Sequence, residues 1–220
     1  MSVLLEALYY AERGWPVTPI HWKTEEGTCS CGKIDCKGAG KHPILEHAYQ
    51  EASKDTRQIL QWWKDYPDAN VAIAAGFKSG IVVLDIDPRH GGHLSLEGLL
   101  KRYGELPHTI QAKTGGGGRH YLFQTPKREL RGRIGMLPGI DVRAEGQLFV
   151  APPSRHASGG TYEWDEKFHP RNNVPAKLPF WLQDKIRTKS NYKPEKKGLM
   201  DPESRVPGKK NRIGLVKWEF

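Results

Sequence analysis

Apolar residues recur along this chain with two periods, and each predicts a different kind of element. In residues 2–13, Leu4, Leu8 and Ala11 fall three to four apart and share one helical face. Ser2 precedes the run as an N-cap, and Gly14 with Pro16 closes it. A second helix is predicted over 55–65, with Asp55 as cap and Ile59, Trp62 and Trp63 facing inward. A third covers 94–103, and a short one at 180–187 follows Pro175 and Pro179. Short apolar or alternating runs predict strands at 17–20, 71–75, 81–87, 110–113, 120–124, 140–143, 147–151 and 161–164. Turns at 76–80 and 115–118 join two pairs of them. Residues 23–43 are polar, glycine-rich and cysteine-bearing, which reads as a loop. Residues 188–211 are rich in Lys, Pro and Gly with few aliphatics, which reads as a linker.

The 220 residues suffice for one large domain or two small ones, and 37% hydrophobic content excludes wholesale disorder. No apolar run approaches the roughly 20 residues of a membrane helix. Glu6 and Glu12 interrupt the apolar N-terminus and no basic segment precedes it, so it does not read as a signal peptide. A cytoplasmic protein with three reduced cysteines is expected. The formal net charge is +9, but residues 1–100 carry 10 basic and 13 acidic side chains. Residues 101–150 carry 9 against 4, and residues 185–220 carry 11 against 4. The tail excess is explained by solubility alone. The middle zone changes the picture, because acidic motifs flank it.

Asp85 and Asp87 end the run Ile-Val-Val-Leu-Asp-Ile-Asp at 81–87. Alternation along a strand points both the same way as Ile81 and Val83, with Val82, Leu84 and Ile86 on the other face. Two such carboxylates repel unless a cation lies between them, and a hard ion such as Mg²⁺ or Mn²⁺ suits oxygen ligands. A solvated Asp85 beside a turn opened by Asp87-Pro88 is the plainer alternative. Asp141, on another short strand, offers the third carboxylate of a two-metal cluster. Arg143 shares its face, able to contact a phosphate or simply to pair with Asp141. The run Thr114-Gly-Gly-Gly-Gly-Arg119-His120 lacks the lysine and following helix of a P-loop. Four glycines still let a backbone approach a phosphate, and Arg119 and His120 add charge and hydrogen bonds. Lys113, Arg119, Lys127, Arg128, Arg131, Arg133 and Arg143 lie nearby in sequence. Carboxylates beside such a zone suit a polyanionic substrate. Cys29, Cys31, Cys36 and His42 fall within 14 residues and suit a Cys3His zinc set, with His21 and His47 as alternative fourth ligands and three reduced thiols in a loop as the plainer alternative.

The order hhhDhD, GGxxHY and DhRxxGxxxxAPPS, after a CxC-x4-C loop ending Gly40-Lys41-His42-Pro43, closely resembles the bifunctional primase–polymerase N-terminal domain of the archaeo-eukaryotic primase superfamily. The likeness covers about residues 3–185. It implies an α+β fold: a primase-type catalytic core with an RRM-like antiparallel sheet, packed with an α/β N-terminal subdomain and a small zinc loop at 27–43. It implies template-directed nucleotidyl transfer on single-stranded DNA template and primer, using ribo- or deoxynucleoside triphosphates. Asp85, Asp87 and Asp141 match the family's metal-binding acids, and His120 its nucleotide-binding histidine. Arg143 and Ser154 match positions near the incoming nucleotide. Gly117, Gly118 and Arg119 belong to the same nucleotide approach, which is longer here than in many members. Lys41, in the GKHP motif, is expected near nucleotide or template. Residues 206–212 are similar to the segment that opens the helical domain following such cores, with Lys210 replacing an arginine. The expected division is therefore a catalytic domain at 1–187 and, at 188–220, a basic linker into a truncated helical region, with a helicase or helical primase domain as partner. Two rivals remain: a non-catalytic, zinc-bearing single-strand-binding module, and a metal-dependent nuclease. The His120 hairpin, suited to a triphosphate, argues against the nuclease.

Overall fold

The computed structural model describes residues 2–126 and 130–187. The chain begins with α1 (Val3–Glu12), β1 (Val17–Ile20), α2 (Ala48–Glu51), α3 (Thr56–Asp65) and β2 (Asn70–Ala74). Next come β3 (Ile81–Ile86), a 3-10 turn (Pro88–His90) and α4 (Gly92–Tyr103). Strands β4 (Ile110–Lys113), β5 (Arg119–Gln124), β6 (Arg133–Leu137), β7 (Ile140–Arg143) and β8 (Leu148–Val150) follow. Two-residue strands β9 (Glu163–Trp164) and β10 (Ala176–Lys177) precede α5 (Phe180–Arg187).

Helix α3 forms for the predicted reasons and α1 only in part, with Leu4 and Leu8 half-buried. The Asp55 carboxylate caps α3 by accepting from the Arg57 and Gln58 backbone N–H groups, and Ile59, Trp62 and Trp63 are buried. Ser2 occupies the N-cap of α1, but its hydroxyl makes no cap bond. Burial of Ala7, Tyr10 and Ala11 anchors that helix instead.

Two sheets result, a mixed α+β arrangement. One has the order β1-β2-β8, the other β6-β7-β3-β5-β4-β9, and β10 runs parallel beside the far end of β5. All other pairings are antiparallel. The turn at 76–80 joins β2 and β3 in the chain. They lie in different sheets, bridged only where Gly76 meets Ile81. Both strands are apolar on both faces, so each demands its own covered sheet rather than a two-stranded hairpin. The crossing is pinned by Glu145, whose carboxylate accepts from the Phe77 N–H and the Tyr49 hydroxyl, each at 2.7 Å.

Alternation along β3 divides the interior as predicted. Ile81 and Val83 join one core cluster with α1, α3, Phe149 and Leu122. Val82, Leu84 and Ile86 join another with Leu99, Phe123, Val142 and Leu182, under α4 and α5. The large sheet thus has helices α4 and α5 behind it, and the small sheet with α1 and α3 in front. No described helix is long and apolar enough to cross a membrane. The proposed region 188–220, and Lys127 and Arg128 of the basic zone, lie outside the described residues.

Candidate active site

The registers of β3 with its two neighbours assemble the acidic cluster. Asp85 lies opposite His120 on β5 and opposite Asp141 on β7. Directly opposed residues share a face. Asp141, Asp85 and His120 therefore form one row across three strands, on the face that packs toward the front core.

Cations already neutralise this row. Arg143 Nη2 donates to Asp141 Oδ2 at 2.7 Å and lies 3.8 Å from Asp85 Oδ2. The pairing of Arg143 with Asp141, one of its two expected roles, is thus present. The other Asp141 oxygen accepts from the Gly135 N–H of β6 at 2.7 Å. His120 Nε2 lies 3.4 Å from Asp85 Oδ1, and its ring is 4% exposed between Phe149 and Tyr162. Burial pushes the Asp85 carboxyl up, but the charge and hydrogen bond of His120, with Arg143 and Lys41, outweigh it and leave it below its ordinary value.

Asp87 lies one residue beyond β3. Its carboxylate caps the 3-10 turn by accepting from the Arg89 N–H at 3.0 Å. The Arg89 side chain holds it well below the ordinary carboxylate range. Its backbone N–H donates to the Gly139 carbonyl at 2.8 Å, which ties the turn before β7 to the end of β3. Lys41 reaches the same neighbourhood, and burial followed by repulsion from Arg89 lowers its ammonium pKa. Asn70 positions it. The Asn70 Nδ2 donates to the carbonyls of Gly40 at 3.0 Å and Arg155 at 2.8 Å, and its Oδ1 accepts from the Arg155 N–H at 2.8 Å.

The glycine hairpin closes tightly against β3. Its turn is held by Thr114, whose N–H donates to the Gly118 carbonyl and whose hydroxyl accepts from the Gly118 N–H, each at 2.9 Å. A Cβ on Gly118 would collide with the Ile86 carbonyl, so only glycine lets the turn lie beside the aspartates. Gly117 sits at φ +85° with open space around it.

Two expected site residues are placed elsewhere. Arg119 neighbours His120 on β5, so alternation sends it to the opposite face. There it pairs with Asp165 and Gln111, each at 3.0 Å. Ser154 is fully buried, accepting from the Val71 N–H at 3.0 Å and donating to the Val71 carbonyl at 3.1 Å. Its hydroxyl ties the AlaProProSer turn to β2 and does not face the row. Conversely, Arg89, Tyr162, His156 and Asn70 surround the site without having been singled out. Tyr162 lay in a predicted strand, but only the β4–β9 register decides which way it faces. Burial, then the charge of Asp85, push its hydroxyl well up.

The model of one family, the bifunctional DNA primase/polymerase N-terminal domain, matches residues 7–181. The chain belongs to that family. No curated protein matches the chain. Membership of the bifunctional DNA primase/polymerase family implies nucleotidyl transfer of the primase or polymerase type, with DNA and nucleotides as substrates.

A Cys3His group stands apart from the acidic row. The ligand atoms of Cys29, Cys31, Cys36 and His42 all lie within 4.8 Å of one another. His42 Nε2 is 3.4 Å from both the Cys29 and Cys36 sulfurs, close to the roughly 3.5 Å edge of a tetrahedral zinc site. Among the described residues no other such group occurs. His21 Nδ1 lies 2.8 Å from the Ser30 hydroxyl, and neither His21 nor His47 belongs to the group. The Lys33 backbone hydrogen bond brings the Cys31 thiol down to about 6, which favours the thiolate a metal needs. The donors fit zinc. The three aspartates, all hard oxygen donors, fit Mg²⁺ or Mn²⁺ in chemistry, and the guanidinium groups of Arg143 and Arg89 now stand beside them.

Proposed function

We propose that this domain is a template-directed DNA primase–polymerase, extending or initiating primers on single-stranded DNA. The observation that carries the reading is the Asp141–Asp85–His120 row, with Asp87 and a glycine turn at its end. Asp85, Asp87 and Asp141 are the ligands for two Mg²⁺ or Mn²⁺ ions. Bound there, the ions supply charge neutralisation at the triphosphate and activation of the attacking hydroxyl. His120 and Arg143 donate to phosphate oxygens, and Lys41 adds a cation from the facing loop. The primer 3′-hydroxyl oxygen forms a bond to the α-phosphorus of the triphosphate and loses its proton. The bond from that phosphorus to the bridging oxygen breaks, and pyrophosphate leaves. Cys29, Cys31, Cys36 and His42 hold a structural zinc ion. The strand order β7-β3-β5-β4, with α4 crossing from β3 to β4, supports an RRM-like catalytic core.

A groove of about 670 Å³ behind the hairpin offers a path for the single strand. Its wall includes Lys113 for phosphate, Tyr121 for stacking, and Leu96 and Leu100 of α4. One gel tests the reading: an end-labelled primer on a single-stranded template, with Mn²⁺ or Mg²⁺ and each class of nucleotide. Lengthened primer is expected. Shortened primer would identify a nuclease, and a band shift without incorporation would identify a binding module.

A further inference from the structure

Arg89 holds Asp87 in a way that bears on how the site loads. Asp87 Oδ1 accepts from the Arg89 backbone N–H and from Nε, both at 3.0 Å, and Oδ2 accepts from Nη2 at 2.7 Å. His90 Nδ1 lies 3.1 Å from Oδ2. This is a bidentate fork, the strongest pairing available to a carboxylate and an arginine. It engages both oxygens that a divalent cation would need. Yet the arm itself is not locked in place: the Arg89 side chain is 50% exposed. It also lies against the glycine turn, because a Cβ built on Gly116 would sit 3.4 Å from its Cζ. Arg89 thus stands between a metal-ligand carboxylate and the stretch of open backbone where phosphates are expected.

We infer that Arg89 is a two-position arm, paired with Asp87 in the free protein and with phosphate oxygens of the nucleoside triphosphate in the loaded one. This rests on the nucleotidyltransferase reading of the same site. A guanidinium fork matches a phosphate as well as a carboxylate, so one side chain serves both without a backbone change. Coupling follows. A cation on Asp87 frees Arg89 for the triphosphate, and a triphosphate that takes Arg89 frees Asp87 for the cation. Each raises the affinity for the other by the same factor. Arg89 also blocks Asp87 against a cation arriving alone.

The test compares wild-type protein, Arg89→Ala and Arg89→Lys. Binding of Mn²⁺ alone is followed by the electron paramagnetic resonance of the free ion. Binding of a non-hydrolysable α,β-imido deoxynucleoside triphosphate is followed by calorimetry, with and without Mn²⁺. Arg89→Ala is expected to bind Mn²⁺ alone about threefold more tightly and the triphosphate about tenfold more weakly, as a lost charged hydrogen bond implies. The mutual enhancement of the two should shrink, leaving only the part that direct contact between ion and triphosphate supplies. Arg89→Lys keeps the charge without the fork and should lie between. Mn²⁺ affinity that is unchanged or weaker in Arg89→Ala, or an unchanged triphosphate affinity, overturns the inference. If the wild-type protein still incorporates nucleotides, that result removes the arm alone. Wild-type protein that binds neither Mn²⁺ nor triphosphate removes the reading of the site as well.

Discussion

Asp87 has structural roles beside its proposed one as a metal ligand. It caps a turn, pairs with Arg89 and directly follows the strand that carries Asp85. The alternation of β3 made its direction legible, and the Asp-Pro step made a turn legible. The arginine that occupies it was not legible, because an ion pair two residues away leaves no periodic trace. Arg119 differs: alternation along β5 already separates its face from that of His120, and only its partner Asp165, distant in the chain, left no trace. The Asp87 pairing has a pH signature. Its carboxyl is depressed below the ordinary 3.8, so the pairing stabilises the fold above that value and is lost as pH falls toward the folded-state value. In metal-free buffer, Asp87→Asn should lower stability by about 1 kcal/mol at neutral pH, the upper end for a partly exposed pair. Thermal melts from pH 7 to pH 2 should show a constant gap between the two proteins down to about pH 4, where the ordinary value of 3.8 begins to matter. Below that the gap should close. A gap that stayed constant to pH 2 would mean that the pair contributes nothing.

Among the elements, those with a strong period or a cap were legible: α1, α3, β3, and the β4–β5 hairpin with its glycines. Strands β6 and β10 were not. The first is an edge strand with only Met136 buried and an irregular register to β7, and the second is two residues held by a parallel contact at the end of β5. Neither has a buried face long enough to impose alternation, although β6 supplies the N–H that holds Asp141. The cysteine loop has no regular structure, yet its spacing did indicate the Cys3His set that the fold assembles. That loop also carries Lys41 toward the acids, so its order matters beyond the metal. Protein purified without chelator should hold about one zinc per chain, and Cys36→Ser much less. The thermal midpoint of the variant should fall by about 5 °C or more, and wild-type protein treated with a strong chelator should match it. Wild-type protein free of zinc, with a midpoint indifferent to chelator, would contradict the zinc assignment.

At the scale of the whole molecule, the sequence indicated the classes of element but not their partition. Strands β2 and β3 are both apolar and adjacent in the chain, and nothing local says that they belong to different sheets. Yet that partition makes the site. The large sheet presents Asp85, Asp141 and His120, while the loops of the small sheet bring Lys41, through Asn70, to the same place. Family membership implies nucleotidyl transfer of the primase or polymerase type, and the strand register brings Asp85, Asp141 and His120 together. Of the basic zone in the middle of the chain, Arg143 stands beside the carboxylates, whereas Arg119 pairs on the other face of the sheet. The most direct measurement is primer extension by the Asp85→Ala/Asp87→Ala double variant, with circular dichroism confirming that it folds. The variant is expected to lose incorporation by at least about a thousandfold with either metal, as removal of charge stabilisation at a reacting centre implies. A folded double variant that extends primers as well as the wild type would contradict the account.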